Sequence, residues 1–339
     1  MESTSAKIQS TISVMATTEQ SYFRTELELR REKLKAATRN DAANARLRVL
    51  LADVDAALSR LQDGSFGICE SCHESIEVER LISDPLLRLC LDHLSPKEQR
   101  DLENDLMFAA EIQRTLLPRR DWSVDGWEAR YHYQPANVVS GDYCDLIEAD
   151  GRFVFLLGDV AGKGVAASML MSHLHATFRT LASQNLPLQQ MVEHANRQFC
   201  DSTTAGQFAT MIVGSAWPDG RVEYVNAGHL PLLHISALGT ISREASGVPL
   251  GMFSSTDFGV CHLQLAVGDK LFLYTDGLSE AFNAAGDEFG IGRVHSMASR
   301  HAVQDPDKML ASCLSEIRGF SAASRQTDDL TLLVVYRAN

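Results

Sequence analysis

Apolar residues recur at helical spacing at Phe23, Leu27 and Leu34, and again at Leu47, Leu51, Val54, Leu58 and Leu61. Between them Ala37-Thr38-Arg39-Asn40-Asp41 reads as a turn, and Asp63-Gly64 closes the second segment. Each predicted helix has one apolar stripe to bury, so an antiparallel hairpin is expected. A third helical pattern starts at Pro96, with Leu102, Leu106, Ala109, Gln113 and Leu116 at alternating spacings of four and three before Pro118 stops it. That is a short heptad seam, which predicts a helix that pairs with its copy or, alternatively, lays the same stripe on the domain that follows in its own chain. Beyond it the pattern alternates. Strands are predicted near 127–134, 152–158, 208–216, 221–226, 231–235, 270–275 and 330–336, and helices near 164–183 and 188–201. Pro218-Asp219-Gly220 reads as a hairpin turn between two of the strands. Adjacent hairpins with paired helices predict an α+β fold.

Acidic residues sit at the ends of these strands. Asp159 follows the apolar run Phe153 to Leu157 and opens the glycine-rich stretch to Gly164. Asp142 and Asp145 lie in Ser140-Gly141-Asp142-Tyr143-Cys144-Asp145, Asp276 follows Lys270 to Thr275, and Asp328-Asp329 open the last strand. Carboxylates held away from water need a cation or donors to offset their charge, so the set points to a hard-cation centre. A separate set, Cys69 and Cys72 followed by Cys90 and His93, has the spacing of two knuckles around a tetrahedral zinc. His73 is a rival for the fourth position.

Composition narrows the setting. Of 339 residues 45% are hydrophobic and 22% charged, which suits folded domains rather than disorder. A net charge of −13 argues against direct binding to nucleic acid through phosphates. No apolar run approaches the ~18 residues that cross a membrane. The polar first twenty residues read as a flexible tail without a signal peptide, and seven Cys in the chain, an odd number with three clustered between residues 69 and 90, suit a reducing cytoplasm and a metal site better than a disulfide framework. A P-loop is not supported, because Gly158 to Gly162 is one residue short and Gly164 occupies the hydroxyl position. No Cys is followed at the proper distance by the Arg of a thiolate phosphatase, so Cys144, Cys200, Cys261 and Cys313 read as core thiols. His229 could be a general acid or could anchor a turn, whereas His173 and His175 read as structural.

Six motifs in order carry a family resemblance: Ser140 to Asp145, Gly158 to Gly164, Phe208-Ala209-Thr210-Met211, Asn226-Ala227-Gly228-His229, Tyr274 to Ala281, and Thr327-Asp328-Asp329-Leu330-Thr331. Together they resemble the metal-dependent (PPM) serine/threonine phosphatases in their SpoIIE/RsbU-like branch, over about residues 104 to 337. This resemblance implies an αββα sandwich and two Mn²⁺ or Mg²⁺ ions. It implies that Asp159 bridges them, that Asp142 and the Val160 carbonyl serve the first, and that Asp276 and Asp328 serve the second. Asp145 and Asp329 then lie nearby in support, and the assignment between Asp328 and Asp329 is open by one position. Relatives that hold phosphate with an Arg ahead of the first Asp differ from Pro135-Ala136-Asn137-Val138-Val139 here, so phosphate is expected to rest on the metals.

Residues 20 to 95, with Gly64-Ser65-Phe66-Gly67-Ile68-Cys69 and Pro85 before Cys90, resemble the DksA/TraR zinc-finger family. That implies one structural Zn²⁺ on Cys69, Cys72, Cys90 and His93. His93 stands where a fourth Cys is usual, and His73 where a Gly usually follows the second Cys. The arms are shorter than those that reach into RNA polymerase, and the tip Asn40 to Asn44 matches the family's acidic tip poorly, so polymerase contact is the weaker expectation.

The organisation expected is a tail at 1–20, a hairpin plus zinc finger at 21–95, a signalling helix at 96–118 and a phosphatase domain at 119–339. The implied activity is hydrolysis of phosphoserine or phosphothreonine on a STAS-domain anti-sigma-factor antagonist. The alternative is a DksA-like transcription modulator with an inert phosphatase-like scaffold.

Overall fold

The computed structural model describes residues 17–40, 44–94, 96–203, 206–321, 326 and 328–338. The chain divides into two compact units, Met1–Asn104 and Asp105–Asn339.

The first unit is the expected hairpin of α1 (Thr17–Asn40) and α2 (Ala45–Asp63). Phe23, Leu27, Val54, Ala57 and Leu58 form its core together with Phe66, Ile76 and Leu81. Helix α1 is longer than its apolar pattern. It begins at Thr17, and Ala37 to Asn40, read as a turn, stay helical, with the Thr38 hydroxyl donating to the Leu34 carbonyl at 2.8 Å. Tail residues 1–16 and tip residues 41–43 lie outside the described residues. Asn44 caps α2 by accepting the N–H groups of Arg46 and Leu47, and Gly64 ends it at φ 82°, in the left-handed region that glycine adopts without strain. A short helix α3 (Val78–Ser83) and a 3-10 turn (Leu91–His93) complete the zinc-finger region.

Helix α4 (Pro96–Leu116) runs across the boundary between the units. Its buried residues are Ala110 and Gln113, whereas Leu102, Met107, Phe108 and Ile112 are exposed. The stripe predicted from heptad spacing is therefore not one continuous free seam, because Gln113 belongs to the interior of the second unit.

That unit is a pair of antiparallel sheets. The strands are β1 (Trp122–Val124), β2 (Trp127–Gln134), β3 (Asp142–Ala149), β4 (Arg152–Val160), β5 (Ala209–Ala216) and β6 (Arg221–Ala227). They continue with β7 (Leu232–Ser236), β8 (Gly239–Arg243), β9 (Cys261–Gln264), β10 (Lys270–Tyr274) and β11 (Leu330–Arg337). One sheet has the order β1-β2-β11-β10-β7-β8 and the other β3-β4-β5-β6-β9. Because side chains alternate across a strand, each central strand feeds two cores. Phe153, Phe155 and Leu157 of β4 meet Leu271, Leu273, Leu333 and Val335 between the sheets. Val154, Leu156 and Val160 turn the other way, onto α5 (Val165–Ala182) and α6 (Leu188–Ser202). On the far side Phe272, Leu332 and Val334 pack with α8 (Gly290–Arg300) and α9 (Pro306–Phe320). A one-turn helix α7 (Asp276–Ser279) follows β10. The layers are helix, sheet, sheet, helix, as expected.

Candidate active site and metal centres

The acids gather because antiparallel pairing brings strand starts and strand ends to one edge. Asp142 at the start of β3 is the register partner of Asp159 near the end of β4. In the other sheet β10 runs antiparallel to β11, with Tyr274 opposite Leu332, so Thr275-Asp276 emerges where Asp328-Asp329 enters. The two edges are stitched together. Asp142 Oδ2 accepts the Thr275 hydroxyl at 2.9 Å and also the Thr331 hydroxyl. Asp329 accepts the N–H of Ala136 at 2.7 Å and of Gly141 at 3.0 Å, one on each oxygen. Two glycines permit this approach. A Cβ on Gly141 would sit 3.0 Å from the Val160 carbonyl oxygen and 3.1 Å from Asp159 Oδ1, and one on Gly277 would sit 1.9 Å from the Asp329 carbonyl oxygen.

Charge accumulates here faster than it is neutralised. Burial, and then Asp159 and Asp329, raise the Asp142 carboxyl well above the ordinary range, against the pull of the Thr331 and Thr275 hydroxyls. Asp159 is pushed up to about 8 by burial and by Asp276, Asp328 and Asp329, with Lys163 opposing. Burial together with Asp328 and Glu280 pushes Asp276 up to about 6. Lys163 Nζ lies 2.8 Å from Asp328 Oδ2. Asp142 Oδ1 is buried and has no hydrogen-bond partner among the described residues.

The structure separates Asp145 from this group. It lies on the opposite face of β3 from Asp142, where Arg179 of α5 binds it in bidentate fashion at 2.9 and 2.7 Å and the Tyr143 hydroxyl donates at 3.3 Å. Strand alternation sends every odd residue of Asp142–Ala149 to the helix side, so Asp145 anchors α5 instead of supporting the acids.

His229 is structural, the turn-anchoring alternative. Its backbone N–H donates to Asn226 Oδ1 at 2.8 Å, Nδ1 lies 2.8 Å from the Thr210 hydroxyl, and Nε2 lies 3.1 Å from the Tyr274 carbonyl. A carbonyl only accepts, so Nε2 carries the proton and Nδ1 accepts from Thr210. Burial holds the ring down to about 4. Thr210 is the register partner of Asp159, and Tyr274 is two residues before Asp276. His229 thus joins the two strand ends that carry these acids.

Sequence reasoning missed three supporting side chains: Thr275, Thr331 and Gln113. The two threonines lie inside quoted motifs, but their spacing gave no reason to aim a hydroxyl at Asp142. Gln113 donates through Nε2 to the Ser140 carbonyl at 2.7 Å and accepts the Ser140 N–H at 3.0 Å. Ser140 Oγ in turn accepts the Asp142 N–H at 3.0 Å.

In the first unit Cys69, Cys72, Cys90 and His93 bring their ligand atoms within 4.8 Å of one another, and among the described residues no other Cys, His, Asp and Glu set of three or more is so tight. The aspartates spread more widely, as like charges do. Cys72 Sγ lies 3.7 Å from Cys90 Sγ, and Cys90 Sγ 3.3 Å from His93 Nδ1. Tetrahedral bonds of ~2.3 Å to sulfur place neighbouring sulfurs ~3.8 Å apart, so the spacing fits zinc. Burial raises the Cys69 thiol, but the backbone N–H groups of Cys90, Cys72 and Ser71 outweigh it and bring it down to about 6. Burial and the other two sulfurs raise Cys90. His73 is exposed and outside the quartet, and its φ of 61° is the left-handed backbone that a Gly at this place would supply.

Residues 64–92 match the family of the prokaryotic dksA/traR C4-type zinc finger. The chain is 25% identical over 244 residues to the phosphoserine phosphatase RsbU of Bacillus subtilis, covering 70% of this chain and 72% of RsbU. It is also 25% identical over 263 residues to protein IcfG of Synechocystis, covering 69% of this chain but only 41% of IcfG. The chain thus spans about two fifths of that relative. The solved structure of the SiaA-PP2C domain of Pseudomonas aeruginosa superposes with a TM-score of 0.63 at 20% identity, over 72% of this chain and 99% of that one, which gives the fold as PP2C-like. Residues 149–338, more than half of the chain, match stage II sporulation protein E (SpoIIE), and the chain belongs to that family.

Proposed function

We propose that the second unit is a metal-dependent protein phosphatase that hydrolyses phosphoserine or phosphothreonine on a regulatory protein. The observation that carries this reading is the Asp142 carboxylate. Two hydroxyls occupy Oδ2, while Oδ1 is buried without a partner among the described residues, beside acids whose charges raise one another's pKa. Such an atom fits a cation, and an all-oxygen donor set suits Mn²⁺ or Mg²⁺.

In this reading Asp142, Asp159, the Val160 carbonyl, Asp276 and Asp328 would hold the two ions. Asp329 has both oxygens engaged by the main-chain N–H groups of Ala136 and Gly141, and Asp328 holds Lys163 on Oδ2 and the Asp329 N–H on Oδ1, so the reading takes Asp328 as the ligand from the motif and Asp329 as its neighbour in support. Bound cations would supply a water of lowered pKa and neutralise charge on the phosphoryl oxygens. The protein's share is placement: Thr275 and Thr331 orient Asp142, and His229 sets the separation of the Asp159 and Asp276 strands.

The substrate proposed is a phosphorylated STAS-domain anti-sigma-factor antagonist, in a partner-switching circuit. The phosphoserine phosphatase name of RsbU supports the chemistry, and the STAS assignment rests on the resemblance of the motifs. We assign one structural Zn²⁺ to Cys69, Cys72, Cys90 and His93, and a signalling role to the helix at 96–118. Exposed Met107, Phe108 and Ile112 on that helix support pairing in a homodimer. The proposed site of action is the cytoplasm, a reading that rests on the reducing cysteine usage of the sequence; among the described residues no helix is long and apolar enough to cross a membrane.

The test is release of inorganic phosphate from a phosphoserine STAS-domain protein by the purified chain with manganese. Release from that protein well above release from an unrelated phosphoprotein supports the substrate assignment, and equal rates refute it.

A further inference from the structure

A cavity of about 190 Å³ opens directly beside the acids, with Asp328 and Gly277 in its wall. Its floor is apolar, built from Phe282, Leu314, Ile317 and Leu330. Gln134 and Gln326 form a fixed polar wall: their side chains bond to each other, and Gln326 Nε2 also donates to the Gln134 carbonyl at 3.1 Å and the Asp328 carbonyl at 2.8 Å. Two groups at the cavity are unspent. The Ser321 hydroxyl is buried with no hydrogen-bond partner among the described residues. Arg318 is exposed, lines the cavity and makes no hydrogen bond or ion pair with another described residue.

An apolar cavity with a few convergent polar groups is the usual form of a binding site. This one borders the acidic cluster through Asp328 and Gly277, so a chain that presents a phosphate at the acids comes close to the cavity. An extended peptide advances roughly 3.3 Å per residue, which puts the nearest neighbours of a phosphoserine within reach. The floor suits a large aliphatic side chain. Arg318 supplies positive charge to the cavity wall, which suits an acidic residue.

We infer that this cavity is a docking pocket for the substrate chain, taking a large aliphatic side chain within about three residues of the phosphoserine and pairing an adjacent acidic residue with Arg318. The inference rests on the phosphatase reading and deepens it, because it gives the substrate class a local sequence: phosphoserine flanked by an aliphatic and an acidic residue. It also places recognition in protein side chains rather than in the cations.

The experiment uses the manganese-loaded full chain and labelled peptides that carry a non-hydrolysable phosphonate analogue of phosphoserine. One pair of peptides has Leu and Glu, or Ala and Lys, after the phosphonate; a second pair has them before it. In one of the two registers the Leu/Glu peptide should bind about tenfold tighter, the scale of a filled apolar pocket with a charge contact. Arg318→Glu, at an exposed position, should erase or invert that preference, and Phe282→Ala should weaken it. Equal binding in both registers, or a preference untouched by either substitution, overturns the pocket. Hydrolysis of p-nitrophenyl phosphate by the wild type, a substrate with no flanking residues, separates the two ideas. Turnover with no peptide preference removes the pocket and leaves the phosphatase. A peptide preference that Arg318→Glu inverts, without turnover, supports the pocket and removes the phosphatase.

Discussion

The amide of Gln113 closes on the main chain of Ser140 from both sides, donating to its carbonyl at 2.7 Å and accepting its N–H at 3.0 Å. Ser140 then receives the Asp142 N–H on its hydroxyl, so the helix Pro96–Leu116 is two hydrogen-bonded steps from the acidic cluster. Gln113→Leu leaves a buried N–H and a buried carbonyl unsatisfied, at about 1 to 3 kcal/mol each. The expected outcome is destabilisation of about 2 kcal/mol or more in denaturant unfolding, with weaker manganese binding by calorimetry. Unchanged stability would show that water replaces the amide.

His229 should matter through neutrality. Its folded pKa of about 4 lies below the ordinary value of 6.5. A depressed pKa favours the neutral ring, so the associated stability is present above pH 6.5 and is lost as pH falls toward 4. The loss is up to about 3 kcal/mol. Unfolding at pH 7 and pH 4.5 should show a steeper acid loss in wild type than in His229→Gln. Activity between pH 6 and 8 should carry no inflection from this ring.

Asp159 and Asp276 give the opposite sign. Their folded values of about 8 and about 6 lie above 3.8, so the protonated forms are favoured in the folded chain. Stability of the metal-free protein is then lost as pH rises from about 4 through 8, with the upper part of that window belonging to Asp159. Manganese offsets this repulsion, so its rise in melting temperature should be larger at pH 8 than at pH 6. Asp159→Asn should stabilise the metal-free chain at pH 8 by about 1 kcal/mol or more. A melting temperature of the metal-free protein that is flat across this window would contradict the crowding of charge described above.

The architecture was legible where side-chain periodicity is strong. The hairpin core of Phe23, Leu27, Val54 and Leu58, and the two-faced strands β4 and β11, follow from spacing alone. Strands β8 and β9 were not, because Gly239–Arg243 and Cys261–Gln264 lie at sheet edges and carry little buried apolar surface, and neither were β1, only three residues long, and β3, whose apolar pattern Asp142 and Asp145 interrupt. Helix α9 left a usable signal in its Asp305 cap and Pro306, with Met309, Cys313 and Ile317 at helical spacing. The acids were visible as residues at strand ends. Which face each takes was not, since Asp142 and Asp145 differ only by the parity of their positions on β3. The heptad reading of Gln113 failed for a related reason: a polar residue on an apolar stripe can mark a coiled-coil seam or a buried side chain with a main-chain partner, and only the fold supplies Ser140.

The zinc quartet gives a separable expectation. A region this small has little core besides its ligands, so metal binding should supply much of its folding free energy. Metal analysis should find one zinc per wild-type chain and markedly less in Cys69→Ser/Cys90→Ser, with lower helical circular dichroism and no loss of manganese binding. Full zinc retention in the double mutant would remove the site.

The central claim is that the acids at the joined sheet edges hold catalytic cations. Its most direct test is manganese-dependent hydrolysis of p-nitrophenyl phosphate by chelator-treated wild type, Asp159→Asn and Asp276→Asn, each checked for folding. The account predicts recovery of wild-type turnover on adding Mn²⁺ and a fall of at least about a hundredfold in either variant. Turnover that survives without metal, or a folded Asp159→Asn with wild-type rate, would contradict it.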